Sequence, residues 1–305
     1  MKMYKRNKVA QLILSSFFIL TCVQVFINTT ALAIESDLIY DISVAEDGNI
    51  TSIQTAIDAA EKNDIIFVEN GIYYENIVID KAITIIGENN TKTIIDGRNA
   101  GNVIKINVEN VTIKKITIQN SGIYFPNAGI NLSSSHATIE ESILKNNFYG
   151  MTLYNAQKNT IQNNTIQNND NCGIYLSHSS NNNFFNNTIS NQKYNGFGLY
   201  DESNKNIIIN NSLKENGYCA VNIRISSMNV VIGNNISDNN IGIHIPSMEN
   251  KISNNSFSNN YKNYDKEISL PGNGEGLLIP VFLVFILILS VMLIIFYIRL
   301  IHGKK

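Results

Sequence analysis

The chain has 305 residues, a formal net charge of −2 and 44% hydrophobic residues. A near-neutral charge offers no basic surface for a phosphate backbone, so nucleic acid is excluded as an expected partner. The chain contains three cysteines, which excludes a small fold held together by a disulfide framework.

The N-terminus has the features of a secretory signal peptide. A basic segment at residues 2–8 precedes an apolar run at 9–27, and Ala31-Leu32-Ala33 provides a cleavage site of the small-x-small type. We therefore predict a signal peptide at residues 1–33 and an exported domain at residues 34–262. An uncleaved anchor is the alternative, and it would export the same domain.

The exported domain begins with a predicted short helix. Four apolar residues have the i, i+3, i+4, i+7 spacing of one helix face, namely Ile53, Ala56, Ile57 and Ala60. Thr51 or Ser52 can cap the first turn. A stacked repeat has an apolar end that must be covered, so we expect this helix to close the N-terminal end of the domain.

Short β-like runs separated by turn signals follow the helix. They occupy residues 65–68, 77–79, 83–86, 93–95, 103–106 and 111–118. Each run is neither long nor periodic enough for a helix. This part of the chain therefore predicts strands.

Residues 149–260 repeat a single pattern five times. The anchor positions 150, 173, 196, 220 and 242 are separated by 23, 23, 24 and 22 residues. Positions +1 and +3 after each anchor are apolar while +2 and +4 vary, which is the alternation of a strand with one buried side. A fixed period with three strand-like runs predicts an all-β fold, a right-handed parallel β-helix with coils of about 22–24 residues.

Amide side chains recur in phase with the core of this repeat. Three residues after the last apolar position of each coil, the chain has Asn169, Gln192, Asn216, Asn239 and Asn260. Neighbouring coils lie ~4.8 Å apart, so equivalent amides can hydrogen-bond along the stack. Disorder, the alternative for an Asn-rich sequence, is disfavoured because the in-phase Ile, Leu and Phe residues provide a core.

Several phrases resemble the opening of pectin-lyase-like right-handed β-helices. They lie at residues 52–60, 64–68, 71–76 and 83–87. Together with the Asn-Asn-Thr-Ile phrases at 163–166 and 186–189, they make residues 52–260 most similar to the NosD group of β-helix proteins. The resemblance implies the fold more than the function, because the shared residues are those of the core and the turns.

The C-terminus is predicted to anchor the domain in a membrane. A polar linker at 263–276 leads to residues 277–298, which are apolar or uncharged and long enough to cross a bilayer. The basic tail at 299–305 favours the cytoplasmic side. We therefore predict a single-pass plasma-membrane protein with its β-helix on the extracellular side.

One outer face of the repeat offers side chains for carbohydrate recognition. Tyr154, Tyr175 and Tyr200 lie at outward positions of successive coils. Tyrosines spaced along a flat sheet can stack on sugar rings and hydrogen-bond through their hydroxyls. Ordinary surface tyrosines are the alternative. This face predicts a cell-envelope or extracellular polysaccharide as a partner.

An acidic and basic cluster lies at the end of the same strands. Asp201 and Glu202 precede Arg224 by one coil, which makes them candidate neighbours and candidate catalytic residues. A polysaccharide lyase needs a base and a cation that neutralises the uronate carboxylate, often with an acidic Ca²⁺ site. Ca²⁺ is therefore a candidate cofactor. The alternative for these three residues is a solvated salt bridge.

The resemblance to NosD proteins implies copper, since that family is associated with copper delivery to nitrous oxide reductase. Soft or imidazole ligands in the exported domain are Met151, Met228, Met248, Cys172, Cys219, His136, His178 and His244. Cys172 and Cys219 lie two coils apart, ~10 Å of rise, which is beyond the reach of a disulfide. His244 and Met248 are the remaining weak candidates for a metal site, and no Cys-x-x-Cys, Met-x-x-Met or His cluster accompanies them.

Asn-x-Ser/Thr sequons recur along the exported domain. Each is a glycosylation candidate in a secreted protein: Asn49, Asn89, Asn110, Asn131, Asn163, Asn186, Asn210, Asn235 and Asn254. Several arise from the Asn-Asn-Thr/Ser turn phrase, and glycans on every stacked turn would collide. We therefore expect occupancy at a few exposed corners.

Three functions remain open at this point. The first is a membrane-anchored surface protein with a structural or glycan-binding role, and the second is a carbohydrate-active enzyme of the polysaccharide lyase or glycoside hydrolase kind. The third is a copper-binding accessory protein like the NosD group. We take the first as the working prediction, and the sequence does not separate the three sharply because its outward positions hold mostly Asn, Ser and Lys.

Overall fold

The structure, a computed structural model, describes residues 39–245 and 249–266. Within the unit Asp41–Lys305, these described residues form one helix, α1 (Ile53–Ala59), and 28 β-strands.

Most strands contain three to five residues. The first ten are β1 (Ile42–Val44), β2 (Ile65–Val68), β3 (Gly71–Tyr73), β4 (Ile77–Ile79), β5 (Thr84–Gly87), β6 (Thr93–Asp96), β7 (Ile104–Ile106), β8 (Thr112–Lys114), β9 (Thr117–Gln119) and β10 (Ala128–Leu132). The next nine are β11 (Thr138–Glu140), β12 (Ile143–Lys145), β13 (Tyr149–Tyr154), β14 (Thr160–Gln162), β15 (Thr165–Gln167), β16 (Ile174–Ser177), β17 (Asn183–Phe185), β18 (Thr188–Ser190) and β19 (Phe197–Tyr200). The last nine are β20 (Ile207–Ile209), β21 (Ser212–Lys214), β22 (Cys219–Ile223), β23 (Val230–Ile232), β24 (Asn235–Ser237), β25 (Ile241–Ile245), β26 (Lys251–Ser253), β27 (Ser256–Ser258) and β28 (Lys262–Lys266).

The strands form three parallel sheets: β1 pairs with β2, and from β2 to β25 each strand pairs with the strand three positions further along the chain. Sheet A has the order β1-β2-β5-β8-β11-β14-β17-β20-β23-β26, sheet B runs from β3 to β27, and sheet C runs from β4 to β28. Each coil therefore adds one strand to every sheet. The predicted right-handed parallel β-helix is confirmed, with about ten coils.

The core lies inside the three sheets, where equivalent apolar residues stack between coils. In sheet C the register pairs Met151 with Ile174 and Ile174 with Phe197, all of them fully buried. The +1 and +3 positions of the repeat therefore point inward as predicted. Each inward side chain packs against the coils before and after it, so the apolar period of the sequence equals the length of one coil.

Buried amides form three ladders along the corners between the sheets. The predicted ladder, Asn169 to Asn260, is confirmed. Three of its four successive pairs are joined by side-chain bonds of 2.9–3.0 Å. In the fourth pair the backbone N of Gln192 donates to Oδ1 of Asn216 at 3.3 Å. Two further ladders escaped the sequence analysis, with members Asn159, Asn182, Asn206, Asn229 and Asn250, and Asn164, Asn187, Asn211, Asn234 and Asn255. The corners between the strands also place Asn residues in left-handed conformations, which Asn tolerates better than most residues.

One ladder residue illustrates how completely these amides are bonded. The Oδ1 of Asn187 accepts from the backbone N and from the Nδ2 of Asn164, at 3.0 and 3.1 Å. Its Nδ2 donates to the carbonyl of Ile161 at 2.9 Å and to Oδ1 of Asn211 at 3.0 Å. Asn187 is thus buried with every hydrogen-bonding position of its amide in use.

The predicted helix is present as α1, and Ser52 rather than Thr51 is its N-cap. Ile53, Ala56 and Ile57 are fully buried. The carboxylate of Glu75 accepts from the backbone N of Ile53 at 2.8 Å at the start of the helix. The Nζ of Lys81 donates to three carbonyls at its end, those of Ile57, Asp58 and Ala60. Opposite charges from the coil below therefore complement both ends of the helix dipole.

Two details of the predicted elements differ from the structure. The single run expected at 111–118 is two strands, β8 and β9, because Lys115 between them adopts a left-handed conformation at a corner. The last strand, β28, continues four residues beyond the expected domain boundary at 262. The predicted signal peptide, transmembrane segment and tail lie outside the described residues. Among residues 39–245 and 249–266, no helix is long and apolar enough to cross a membrane.

Candidate functional site

Five aromatic rings contact one another on the outward face of sheet C. This aromatic platform consists of Phe125, Tyr149, Tyr154, Tyr175 and Tyr200. The rings of Tyr175 and Tyr200 are stacked, with centroids 5.1 Å apart and planes 28° apart. Tyr175 also contacts the rings of Tyr149 at 5.2 Å and Tyr154 at 5.8 Å. Phe125 meets Tyr149 and Tyr154 edge to face. The three tyrosines predicted from the repeat are therefore brought together.

The ring of Tyr200 lies across the sheet because Gly198 has no side chain. Gly198 is in register with Tyr175 and Asn222 on the outward side of the strands. A Cβ atom at this position would lie 2.5 Å from Cε2 of Tyr200. The glycine thus leaves the space in which the ring rests and stacks on Tyr175.

Polar groups surround the hydroxyl of Tyr200. Its oxygen accepts from Nδ2 of Asn195 at 3.1 Å and from Nδ2 of Asn222 at 3.3 Å. Two other polar atoms of this face are buried without a hydrogen-bond partner, the hydroxyl of Tyr154 and Oδ1 of Asn222. Buried polar atoms of this kind are few in native proteins, and each calls for an explanation.

A loop between β9 and β10 adds exposed apolar side chains beside the platform. Ile123, Tyr124 and Phe125 are 53%, 72% and 61% exposed. Phe125 belongs to the platform, so the loop continues the aromatic surface beyond the sheet. The sequence analysis missed Phe125 and Tyr149, because neither occupies a +2 or +4 position of the repeat.

The platform tyrosines are neutral. Burial raises the pKa of Tyr149, Tyr154 and Tyr200 well above that of an ordinary phenol, and it raises the pKa of Tyr175 as well. The nearby carboxylate of Asp201 adds to the rise at Tyr154 and Tyr175. These hydroxyls therefore remain protonated and can act as hydrogen-bond donors at physiological pH.

Asp201 lies at the edge of the platform and is bonded to the coil before it. Its Oδ2 accepts from Oγ of Ser177 at 3.0 Å, and the same Oγ lies 3.1 Å from Nδ1 of His178. Sequence reasoning missed Ser177 and His178 as its partners. The register signals them, since Ser177 pairs with Tyr200, the residue before Asp201.

A backbone hydrogen bond joins the coils that carry the other two candidate catalytic residues, Glu202 and Arg224. Glu202 N donates to the carbonyl of Ile225, the residue after Arg224, at 2.8 Å. In the described part of the chain no ion pair joins Arg224 to Asp201 or Glu202. Arg224 and Glu202 are exposed. The structure therefore does not assemble the three residues into one charged cluster.

The candidate metal ligands are dispersed. His244 is buried, and its Nδ1 lies 3.2 Å from Oδ2 of Asp265, while Met248 lies outside the described residues. Cys172 and Cys219 are free and buried, and Asn195 lies between their coils, bonding to both. Burial raises the pKa of the Cys172 thiol to about 11 and that of Cys219 to about 12. Among residues 39–245 and 249–266, no three His, Cys, Asp or Glu side chains come close enough to hold a metal ion.

Eight of the nine sequon asparagines are exposed. The exception is Asn131, which is buried on the outward face of sheet C and donates to the hydroxyl of Thr152 at 2.9 Å. A glycan on Asn131 is incompatible with this packing. Asn163, Asn186 and Asn210 occupy equivalent corners of successive coils in left-handed conformations, so the expectation of partial occupancy remains a prediction.

Comparison with protein families matches residues 33–273 to the NosD family model, described as periplasmic copper-binding protein. A search of curated proteins found no match to the chain.

Solved structures with the same fold include three carbohydrate-active proteins. The catalytic unit of a GH87 α-1,3-glucanase from Streptomyces thermodiastaticus strain HF3-3 has a TM-score of 0.62 at 16% identity, over 72% of this chain and 47% of that one. Pectate lyase Pel9A has a TM-score of 0.57 at 14% identity, over 77% and 79% of the two chains. The A-module of mannuronan C-5 epimerase AlgE6 from Azotobacter vinelandii has a TM-score of 0.54 at 16% identity, over 74% and 77%. At these identities the likeness shows the fold alone.

The family description names copper, but the possible ligands among the described residues are not arranged as a copper site. A copper centre needs several soft or imidazole ligands around one point. The two thiols are two coils apart and held in the protonated form, and His244 is bonded to Asp265. The described residues therefore do not form a copper site.

Proposed function

This chain belongs to the NosD family, and from that premise we propose that it is an extracytoplasmic β-helix protein that binds a glycan across its aromatic platform. One observation carries the proposal, namely five contacting rings on the outward face of one sheet. Aromatic faces stack on the apolar faces of sugar rings, and tyrosine hydroxyls add hydrogen bonds. The names of three proteins that share the fold, a pectate lyase, an α-1,3-glucanase and a mannuronan epimerase, also point to polysaccharides.

The geometry of the platform suits an extended ligand. Tyr154, Tyr175 and Tyr200 lie on three successive coils, and the coils repeat every ~4.8 Å. A chain of pyranose rings is a polymer with a repeat of similar size, so several of its units could contact several coils at once. Half-buried rings with neutral hydroxyls provide an interaction that depends on shape and hydrogen bonding more than on charge.

Retention on immobilised polysaccharides tests the proposal. The full-length protein in detergent micelles is passed over a panel of envelope and extracellular polymers, beside Tyr175→Ala and Tyr200→Ala. Each lost ring should weaken retention about tenfold, since a stacking interaction is worth about 1–1.5 kcal/mol. Tyr261→Ala is the matched control, because Tyr261 is 90% exposed and outside the platform. Retention of no polymer at all would overturn the proposal.

Catalysis on the bound glycan is the second candidate, and the placement of Asp201 favours it. Its carboxylate lies beside the platform and is held by Ser177. A carboxylate next to a bound sugar can act as a general acid or base. Shortened product in the same retention assay, lost in Asp201→Asn, would support an enzyme. Unchanged product release by Arg224→Ala would remove Arg224 from the candidate catalytic set.

We propose in addition that residues 1–33 export the chain and residues 277–298 anchor it. The family description as periplasmic supports export, and the apolar composition of 277–298 supports the anchor. Extraction of membranes with alkaline carbonate should leave the full-length protein in the pellet. A chain that ends at residue 270 should be released, and its retention would contradict the anchor.

Finally, we propose that α1 closes the N-terminal end of the stack. The buried side chains of Ile53, Ala56 and Ile57 join the core at its first coils, and Glu75 and Lys81 hold the two ends of the helix. Without the helix, the apolar end of the stack would be exposed to water.

A further inference from the structure

Two polar atoms of the aromatic platform are buried and unpartnered, the hydroxyl of Tyr154 and Oδ1 of Asn222. We propose that they are ligand contacts and that the platform takes an uncharged, hydroxyl-rich glycan rather than a polyuronate. This inference rests on the proposed glycan binding and adds to it the chemical class of the ligand and the polar atoms that recognise it.

The two atoms lie on either side of the central stacked pair. The ring of Tyr154 contacts Tyr175, and Nδ2 of Asn222 bonds to the hydroxyl oxygen of Tyr200. Tyr154 and Asn222 belong to the first and fourth of four successive coils, so ~14 Å of stacking distance separates them. A glycan lying across Tyr175 and Tyr200 would therefore pass both atoms.

Their chemistry matches sugar hydroxyls. The Tyr154 hydroxyl offers a hydrogen and lone pairs, and Oδ1 of Asn222 is an acceptor. At Tyr200 both protein bonds use the lone pairs of the oxygen, which leaves its own hydrogen for an acceptor outside the protein. A sugar hydroxyl can donate to one of these atoms and accept from another, so one class of ligand satisfies all three.

An unpaired buried group lowers stability, so its presence at this face needs a reason. Leaving a buried donor or acceptor unsatisfied costs free energy that a native sequence could recover by using phenylalanine. Elsewhere the chain satisfies buried tyrosine hydroxyls: that of Tyr73 lies within hydrogen-bond distance of the carbonyls of Val44 and Glu69, at 3.3 and 3.0 Å. The contrast between Tyr73 and Tyr154 points to a bond that forms only with ligand.

The charges around the platform favour a neutral ligand. Asp201 follows Tyr200 in the chain. Its carboxylate is close enough to Tyr154 and Tyr175 to raise the pKa of both, so its negative charge acts on these two rings. Arg224 is exposed, and among the platform tyrosines its positive charge acts on Tyr200 and not on Tyr154 or Tyr175. A uronate carboxylate bound on Tyr154 and Tyr175 would be repelled by Asp201, whereas a neutral sugar would not.

The test compares neutral and anionic polymers with the full-length protein in micelles at low salt. The neutral probes are soluble glucans and mannans, and the anionic probes are polygalacturonate and alginate. We expect retention on at least one neutral polymer and at least about tenfold weaker retention on both polyuronates. Equal or stronger retention on polyuronate would overturn this inference while leaving glycan binding in place. Failure of every polymer would instead overturn the proposed function.

The variant Tyr154→Phe separates a ligand contact from a structural role. It removes only the unpaired hydroxyl, so we expect an unchanged or higher Tm together with about fivefold weaker retention on the neutral polymer. Tyr73→Phe is the matched control, because it removes a bonded hydroxyl and should lower Tm without changing retention. Full retention by Tyr154→Phe, or a lower Tm with retention intact, would overturn the role of this hydroxyl.

Discussion

The corner ladders and the aromatic platform differ in the hydrogen bonding of their buried polar groups. In the ladders the buried amides bond to the coils before and after them, and Asn187 uses all its donors and acceptors. On the platform, the Tyr154 hydroxyl and Oδ1 of Asn222 are equally buried and have no partner. Both regions are built from the same coils, so the stacking of the coils does not explain the difference.

The comparison distinguishes polar groups that hold the fold from polar groups available for binding. A satisfied ladder amide stabilises the corner and cannot bind anything without being released. An unsatisfied platform group lowers stability until a ligand bonds to it. Asn residues are abundant in both sequence and structure, and only their bonding shows which of them are structural.

The largest effect should follow from removing a ladder amide. Asn187→Ala leaves the backbone N of Asn164 without its acceptor and removes one further bond each from Nδ2 of Asn164, the carbonyl of Ile161 and Oδ1 of Asn211. We expect a loss of at least about 3 kcal/mol in the free energy of unfolding, measured in urea, because a buried N–H becomes unpaired and further buried bonds are lost. Lys193→Ala, an exposed change on the same coil, should have almost no effect. A similar small loss for both variants would refute the structural role of the ladder.

A clash beneath the platform should have the next largest effect. In Gly198→Ala the new Cβ lies 2.5 Å from Cε2 of Tyr200, so the ring must leave the sheet and its stack on Tyr175. We expect a loss of about 1–3 kcal/mol in unfolding free energy and weaker glycan retention.

A double-mutant cycle checks the cause of this loss. In the background of Tyr200→Ala the same glycine substitution meets no ring, so its effect on stability should largely disappear. An effect of equal size in both backgrounds would place its origin in the backbone rather than in Tyr200.

A smaller loss of stability should follow from removing the side chain that bonds to the end of α1. Lys81 bonds to three carbonyls at the end of α1, and Lys81→Ala leaves them without a side-chain donor. We expect a loss of about 1 kcal/mol in unfolding free energy. Lys92→Ala, an exposed change, is the control. Protection of α1 amides from hydrogen exchange should fall only in the Lys81 variant.

The pH dependence of stability should reflect the buried tyrosines. Burial raises the pKa of Tyr73 to about 12, whereas an unfolded tyrosine titrates near 10. The folded-state pKa is the higher one, so the contribution is complete below about pH 10 and is lost as the pH rises toward 12. Urea unfolding across this range should show the fall, and Tyr73→Phe should reduce it. A stability that rises over the same range would contradict the assignment.

The smallest effect should come from metal removal. The described residues hold their fold through backbone ladders and amides, and none of their clusters suits a metal ion. Treatment with a copper chelator should therefore shift Tm by less than about 1 °C and leave glycan retention unchanged. A larger fall in Tm, reversed by copper, would contradict this expectation.

The sequence by itself determined the coil, the core and part of the platform. Inward residues pack against equivalent residues of the next coil, so apolar positions such as Met151 and Ile174 repeat at the length of one coil. The same period placed one amide ladder and the outward Tyr154, Tyr175 and Tyr200 in phase. Local periodicity was sufficient for these features, because each depends only on contacts between neighbouring coils.

The tertiary structure decided which outward side chains meet. Phe125 reaches the platform from a loop that interrupts the repeat, and Tyr200 lies flat because of the space above Gly198. Asp201 bonds to Ser177 instead of pairing with Arg224. The repeat does not fix the residue types at outward positions, so the contacts of these side chains depend on loops and on side-chain orientation, which the repeat does not encode.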